Sequence, residues 1–197
     1  MDEIASPAYR QAGRWASRND AFEQSYLLYV GAAYPHKNLE RLLEAFAILK
    51  NDWTMPLSLI LVGRSDYFYE RLKLLAYEKY PWLPIIFLCE ASDAELTDLY
   101  HNASAFVFPS LSEGFGLPPL EAMAHSTPVL ASNASCLPEI LDQAALYFDP
   151  YKPKELAGQM KQILNDENLR QKLIENGLKQ VQTYSWQNCA QLTLDEY

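Results

Sequence analysis

Apolar residues along this chain gather in short unbroken runs that alternate with stretches where they recur every three or four positions. The run Tyr26-Leu27-Leu28-Tyr29-Val30 stops at Gly31, and 57–62, apolar but for Ser58, stops at Gly63. Further runs follow at 85–88, 105–108, 128–131 and 145–148. Runs this short and this apolar read as strands buried on both faces. Between them, helical spacing covers 39–49, 67–80, 93–101 and 117–125, with a short helical turn near 137–141. Two more helices, about 153–164 and 167–184, close the chain, and Ser92 or Asp93 is placed to cap the helix at 93. All-apolar strands separated by helices predict a parallel sheet covered on both faces. Right-handed crossovers make it a Rossmann-like, doubly wound α/β fold. Residues 1–25, polar apart from isolated residues such as Trp15 and Phe22, read as a lead-in or linker, and 26–197 as the domain.

Composition narrows the partners. Of 197 residues, 49% are hydrophobic and 21% charged, which suits one globular domain with a full core. A net charge of −9 excludes a broad nucleic-acid or anionic-membrane footprint but leaves room for a small phosphorylated ligand held by one or two local cations. No apolar run approaches the roughly 20 residues a membrane span needs. Met1-Asp2-Glu3-Ile4 does not open a signal peptide. Cys89, Cys136 and Cys189 are odd in number and form no C-x-x-C, so they are expected as buried free thiols in a reducing compartment. Together these features predict a cytoplasmic protein.

The densest chemistry lies in the turn from Ser112 to Glu121, between the strand at 105–108 and the helix at 117. Gly114 and Gly116 expose backbone N–H groups where a helix dipole already favours an anion, the usual way of holding phosphate. Glu113 and Glu121 bracket the turn as acceptors for sugar hydroxyls, which suggests a nucleotide-sugar site. Phe115 reads as packing between the glycines, while the N–H groups of Gly116 and Leu117 face phosphate oxygens. Glu121, placed in the first turn of its helix, has an alternative reading as a residue favoured there by the dipole alone. Lys37 precedes another helix start and faces either a bound phosphate or solvent. Arg64, after Gly63, is either a surface arginine or a second cation for a diphosphate leaving group. The turns at Gly31, Gly63 and Gly114-Gly116 all fall on the carboxyl edge of the predicted sheet, where such folds bind ligands. His101 and His125 read as structural, and His36 as a residue lining the site. The chain has no H-x-x-x-H, D-x-D, G-x-G-x-x-G or G-x-x-x-x-G-K-[ST], which disfavours metal, dinucleotide and Walker-type sites.

These residues carry a resemblance. Tyr29-Val30-Gly31 through Pro35-His36-Lys37-Asn38-Leu39, then Phe108-Pro109-Ser110, Glu113-Gly114-Phe115-Gly116-Leu117-Pro118 and Glu121-Ala122-Met123-Ala124, resemble the C-terminal half of a retaining, family 4 type glycosyltransferase of the GT-B fold. The similarity runs in order over about 26–190, and two glutamates separated by seven residues are its hallmark. It implies an enzyme, a hexosyltransferase, whose donor is a GDP- or UDP-linked sugar and which needs neither metal nor further cofactor. It implies that Lys37 stabilises the diphosphate with the backbone at Gly116-Leu117 assisting, and that Gly31, Arg64, Gly114 and Phe115 belong to the donor-binding site. Glu113 would hold hydroxyls of the donor sugar, Glu121 the ribose, and the loop at Leu88-Cys89-Glu90 the base. The leaving phosphate itself would help deprotonate the acceptor. The Pro35-His36-Lys37-Asn38 variant leans toward a GDP-mannose type of donor.

Two positions depart from the family pattern: Ala32 stands where many relatives carry arginine, and Cys89 where a loop glycine is common. The resemblance also implies an acceptor-binding N-terminal domain, in cis or in trans, through which any membrane contact would run. The chain alone is expected to bind donor without turning over. Rival readings are one half of a sugar-nucleotide epimerase and a non-catalytic nucleotide-sugar-binding or partner module.

Overall fold

The computed structural model describes residues 25–89 and 91–196, so the lead-in (Ser25 apart) and Glu90 lie outside the described residues. Strands β1 (Tyr26–Val30), β2 (Ser58–Gly63), β3 (Ile85–Cys89), β4 (Ala105–Phe108), β5 (Val129–Ser132) and β6 (Ala145–Phe148) form one sheet in the order β3-β2-β1-β4-β5-β6. Every neighbouring pair is parallel, with Leu28 of β1 in register with Ile60 on one side and Phe106 on the other. This is the Rossmann-like, doubly wound sheet the apolar runs predict, of the kind that makes up one half of a GT-B fold.

The connecting helices are α1 (Leu39–Asp52), α2 (Tyr67–Lys79), α3 (Asp93–Asn102), α4 (Leu117–Ala124) and α5 (Leu137–Leu141), followed by α6 (Pro153–Asn165), α7 (Glu167–Val181) and α8 (Trp186–Asp195). Right-handed crossovers running outward in both directions from the centre put α1 and α2 on one face and α3 to α5 on the other. Helix α6 returns to pack on α1, and α7 packs on α4, where Gly177 lets the helix approach Met123. Ser92 caps α3 in a reciprocal pair with Glu95.

Two expectations need correction. The helix predicted over 167–184 ends at Val181, and a separate helix, α8, follows, capped by the Ser185 hydroxyl accepting from Asn188 N at 3.1 Å. Its described side chains are all exposed, so no buried stripe announces it. Cys189 sits on this helix and is exposed, while Cys89 and Cys136 are half-buried; the prediction of three buried thiols fails at Cys189.

Strands β1, β4 and β5 are almost wholly buried, and Phe46, Phe106, Phe108 and Phe148 fill the layers beside them. Tyrosines share this core because each buried hydroxyl finds an acceptor. Tyr26 donates to Leu99 O at 2.8 Å, Tyr29 to Ala32 O at 2.7 Å, and Tyr69 to Leu61 O at 2.6 Å and Leu88 O at 3.0 Å. Burial pushes the pKa of Tyr26, Tyr29, Tyr69 and Tyr100 well above the ordinary phenol value. These phenols hold their protons more tightly in the folded chain than in the unfolded one. Their contribution is therefore complete below pH about 10 and is lost as pH rises beyond it. Urea midpoints should fall above that pH, with phenolate absorbance rising together with loss of the far-UV signal. Titration of these phenols in a chain that stays folded would contradict the burial.

Candidate functional site

The chain leaves β1 toward β2 and β4 toward β5, in opposite directions across the sheet, so a crevice opens between the carboxyl ends of β1 and β4. The two loops that line it bring Lys37 and Glu113 together. Lys37 Nζ lies 2.6 Å from Glu113 Oε1, with side-chain exposures of only 16% and 11%. The ammonium also sits 5.5 Å from the centre of the Phe108 ring. Residues 76 apart in sequence thus form one charged centre at the switch point.

Asn38 holds the two loops in place. It is buried at φ 60°, a left-handed conformation that asparagine tolerates better than most residues. Its side chain does not cap α1. The amide instead donates to Pro109 O at 3.0 Å and Pro150 O at 2.9 Å, and its carbonyl accepts from Arg41 at 2.8 Å. Leu111 N donates to His36 O at 2.7 Å and adds a second stitch between the loops after β1 and β4.

The glycine turn is braced from the loop after β5. Ser135 Oγ donates to Glu113 O at 2.9 Å and accepts from Glu113 N at 3.2 Å, while the Cys136 thiol reaches Glu113 O at 3.3 Å. The two glycines differ in kind. Gly116 has φ 97°, and a Cβ there would lie 2.8 Å from Leu137 Cδ2, so the fold itself requires glycine. A Cβ on Gly114 would meet nothing within 4 Å. Among the described residues, the N–H groups of Gly114, Phe115 and Gly116 have no hydrogen-bond partner. Pro118 and Pro119 fill the first turn of α4, where a missing N–H costs nothing, and leave the N–H groups of the glycine loop and Leu117 as the candidate anion cradle.

Those prolines also correct the placement of Glu121. Leu117 opens α4, so Glu121 lies in the second turn, not the first, and the helix-dipole reading loses its basis. Its carboxylate is exposed and accepts from Tyr100 OH at 3.0 Å. The Tyr100 ring stacks on His125 at 5.5 Å, giving that histidine its structural role. Gly31, at φ 148°, turns the chain out of β1. Phe115 packs edge-on against Tyr184 at 5.3 Å. Arg64 is exposed beyond β2, with no ion pair among the described residues, and Cys89 ends the edge strand β3. The structure therefore gathers Lys37, Glu113 and the glycine loop in one crevice, with Arg64 one strand away and Cys89 two. The sequence reading missed the Asn38 tie, the Ser135–Cys136 brace and Tyr100, since their partners lie 21 to 112 positions away.

A family model described as "Glycosyl transferases group 1" matches residues 15–180. The chain belongs to this family. Among curated relatives, O-antigen chain mannosyltransferase B of Escherichia coli is 36% identical over 178 residues, covering 88% of this chain and 46% of the relative. O-antigen chain mannosyltransferase RfbU of Salmonella typhimurium is 39% identical over 142 residues, covering 72% of this chain and 39% of the relative. The chain thus spans less than half the length of these curated relatives. A sucrose-phosphate synthase from Thermosynechococcus elongatus superposes with a TM-score of 0.77 at 26% identity, over 98% of this chain and 56% of that one. The C-terminal domain of a glycosyl transferase group 1 family protein (LpcC) from Francisella tularensis shares the fold with a TM-score of 0.70 at 24% identity, over 85% of this chain and 92% of that one.

Within this group 1 glycosyl transferase domain, Asn38 and Gly114 separate architecture from ligand space. Asn38→Gly keeps the backbone conformation but strands two carbonyls, and should lower stability by about 2 kcal/mol in urea unfolding. Stability equal to wild type would show that the Asn38 tie is not holding the loops. Gly116→Ala should cost about 1–3 kcal/mol through its left-handed backbone, and Gly114→Ala less than about 0.5 kcal/mol. Equal losses at the two glycines would refute the distinction.

Proposed function

We propose that this chain is the donor-binding domain of a retaining, metal-independent glycosyltransferase. It would present a nucleoside diphosphate sugar to a glycan or lipid-linked acceptor. The meeting of Lys37 and Glu113 at the switch point carries the reading. Glycosyl transfer from such a donor builds negative charge on the departing diphosphate and positive charge at the anomeric carbon, so a site needs a cation and an acceptor side by side.

In this reading Lys37 and the N–H groups of Gly114 and Gly116 meet the diphosphate, and Gly31 lets the backbone approach it. Glu113 takes hydroxyls of the donor sugar. Glu121 holds the ribose diol with the carboxylate oxygen that Tyr100 does not occupy. Leu117 and Phe115 shape the entrance, Arg64 is a peripheral cation, and Cys89 lies on the base side. The leaving phosphate accepts the proton of the attacking hydroxyl, on the same face of the sugar, which gives retention without a separate base. The O-antigen mannosyltransferases among the relatives favour a mannosyl donor, hence a GDP-linked sugar over a UDP-linked one. An acceptor-binding domain, in cis or in trans, completes the site and carries any membrane contact. We place the reaction in the cytoplasm; among the described residues no helix is long and apolar enough to cross a membrane.

Titration calorimetry with GDP-, UDP- and ADP-sugars tests the assignment. Lys37→Ala should weaken binding by about 10- to 100-fold through the lost charge-assisted bond, and Glu121→Ala by about tenfold through the ribose. Circular dichroism checks that both variants remain folded. Unchanged affinity in both would show that the site lies elsewhere.

A further inference from the structure

We propose that the Lys37–Glu113 ion pair makes the site prefer the sugar-bearing donor over the bare nucleoside diphosphate, because Glu113 occupies the cation whenever no sugar is present to occupy Glu113. The inference rests on the donor-site reading above and adds a specificity role that the reading does not contain.

The starting state is a neutral pair. Lys37 and Glu113 are in contact at 2.6 Å, both largely shielded from water, and Lys37 has no other ion-pair partner among the described residues. An arriving diphosphate therefore meets a cation already neutralised. A diphosphate competes with Glu113 for that cation, and a shielded carboxylate whose partner is drawn toward another anion is costly.

What happens next depends on the ligand. A donor brings sugar hydroxyls that donate to the freed carboxylate, so both members of the pair end with a new partner. A bare diphosphate brings none. It also carries a terminal phosphate with more negative charge than the phosphodiester of the donor, close to an unpaired Glu113.

The surroundings leave Glu113 few alternatives. Its backbone is braced at both N and O by Ser135, which limits how far the side chain can retreat. The Tyr29 hydroxyl, whose pKa is raised first by burial and then by the Glu113 charge, is committed to Ala32 O. The same pair that welcomes the donor thus expels the product left after transfer.

Calorimetry on the wild-type chain and on Glu113→Gln, with GDP, GDP-mannose, UDP and UDP-glucose, tests this directly. The wild type should bind the sugar nucleotide more tightly than the matching diphosphate. Glu113→Gln removes the competing charge at nearly constant shape, so the bare diphosphate should bind about tenfold tighter, the scale of one charge-assisted hydrogen bond, and the preference for the donor should disappear. A merely structural glutamate would instead weaken both ligands together. The double variant Lys37→Met, Glu113→Gln should lose the gain, since no cation remains to be freed. Thermal melting with and without GDP guards against a folding defect: the free Glu113→Gln chain should melt lower than wild type and recover more on ligand addition. If wild type binds nucleotides but Glu113→Gln binds the bare diphosphate no tighter, this inference falls alone. If wild type binds none of the four, the donor-site reading falls with it.

Discussion

The buried amide of Asn38 is the contact on which the crevice depends. A parallel sheet aligns its carboxyl edge but says nothing about how the loops above that edge meet. Asn38 settles this by donating to the main chain after β4 and after β6 from its position after β1. Backbone carbonyls are obligatory acceptors, so withdrawing the amide leaves two of them to find other partners. Both strands bordering the crevice are then tied to one residue. Lys37, its neighbour in sequence, inherits a fixed position over Phe108.

That fixed position explains how an ion pair survives in so shielded a place. Bringing two charges out of water costs more than their attraction returns unless geometry is tightly held. Here the lysine is held by the Asn38 tie and by the His36–Leu111 bond, and the glutamate by Ser135 and Cys136. The anchors come from loops after β1, β4 and β5, so the pair reports on the assembled sheet edge and not on either loop alone. A chain with net charge −9 also needs a local cation at the switch point if it is to take an anion at all, and the described crevice supplies that charge through Lys37.

Much of this was legible in the sequence, for a physical reason. Strands buried on both faces must be apolar throughout, so β1, β2, β4 and β5 announce themselves, and with them the edge where Lys37 and Glu113 emerge. Fully buried strands show no alternation, and none was needed to find them. What stayed hidden falls into two kinds. Asn38, Tyr100 and Ser135 act through partners far along the chain, and nothing local distinguishes a tying asparagine from a capping one. The described side chains of helix α8 show no buried stripe, which removes the periodic signal that separates a helix from a polar tail. Glu121 reads into the first turn, but with the helix opening at Leu117 it is the fifth residue, and Pro118 and Pro119 fill the first turn without loss.

The two glutamates, alike in sequence, are prepared in opposite ways. Glu113 stands on a loop, shielded and paired with a cation, so its carboxylate gains a new partner in competition with Lys37. Glu121 stands on a helix, exposed, with one oxygen steadied by a tyrosine whose ring packs against both His125 and Phe106. A hydrogen-bond donor that never leaves suits the unchanging part of a ligand, since its geometry is set before binding and costs little to maintain. A partner that must be exchanged suits the part that reacts and departs. In the donor-site reading, the ribose falls to the steadied carboxylate and the sugar to the exchangeable one. The division would follow from which element carries each residue: in that reading helices α3 and α4 would fix the nucleotide end, and the loops joined through Asn38 would leave the reacting end able to change partners.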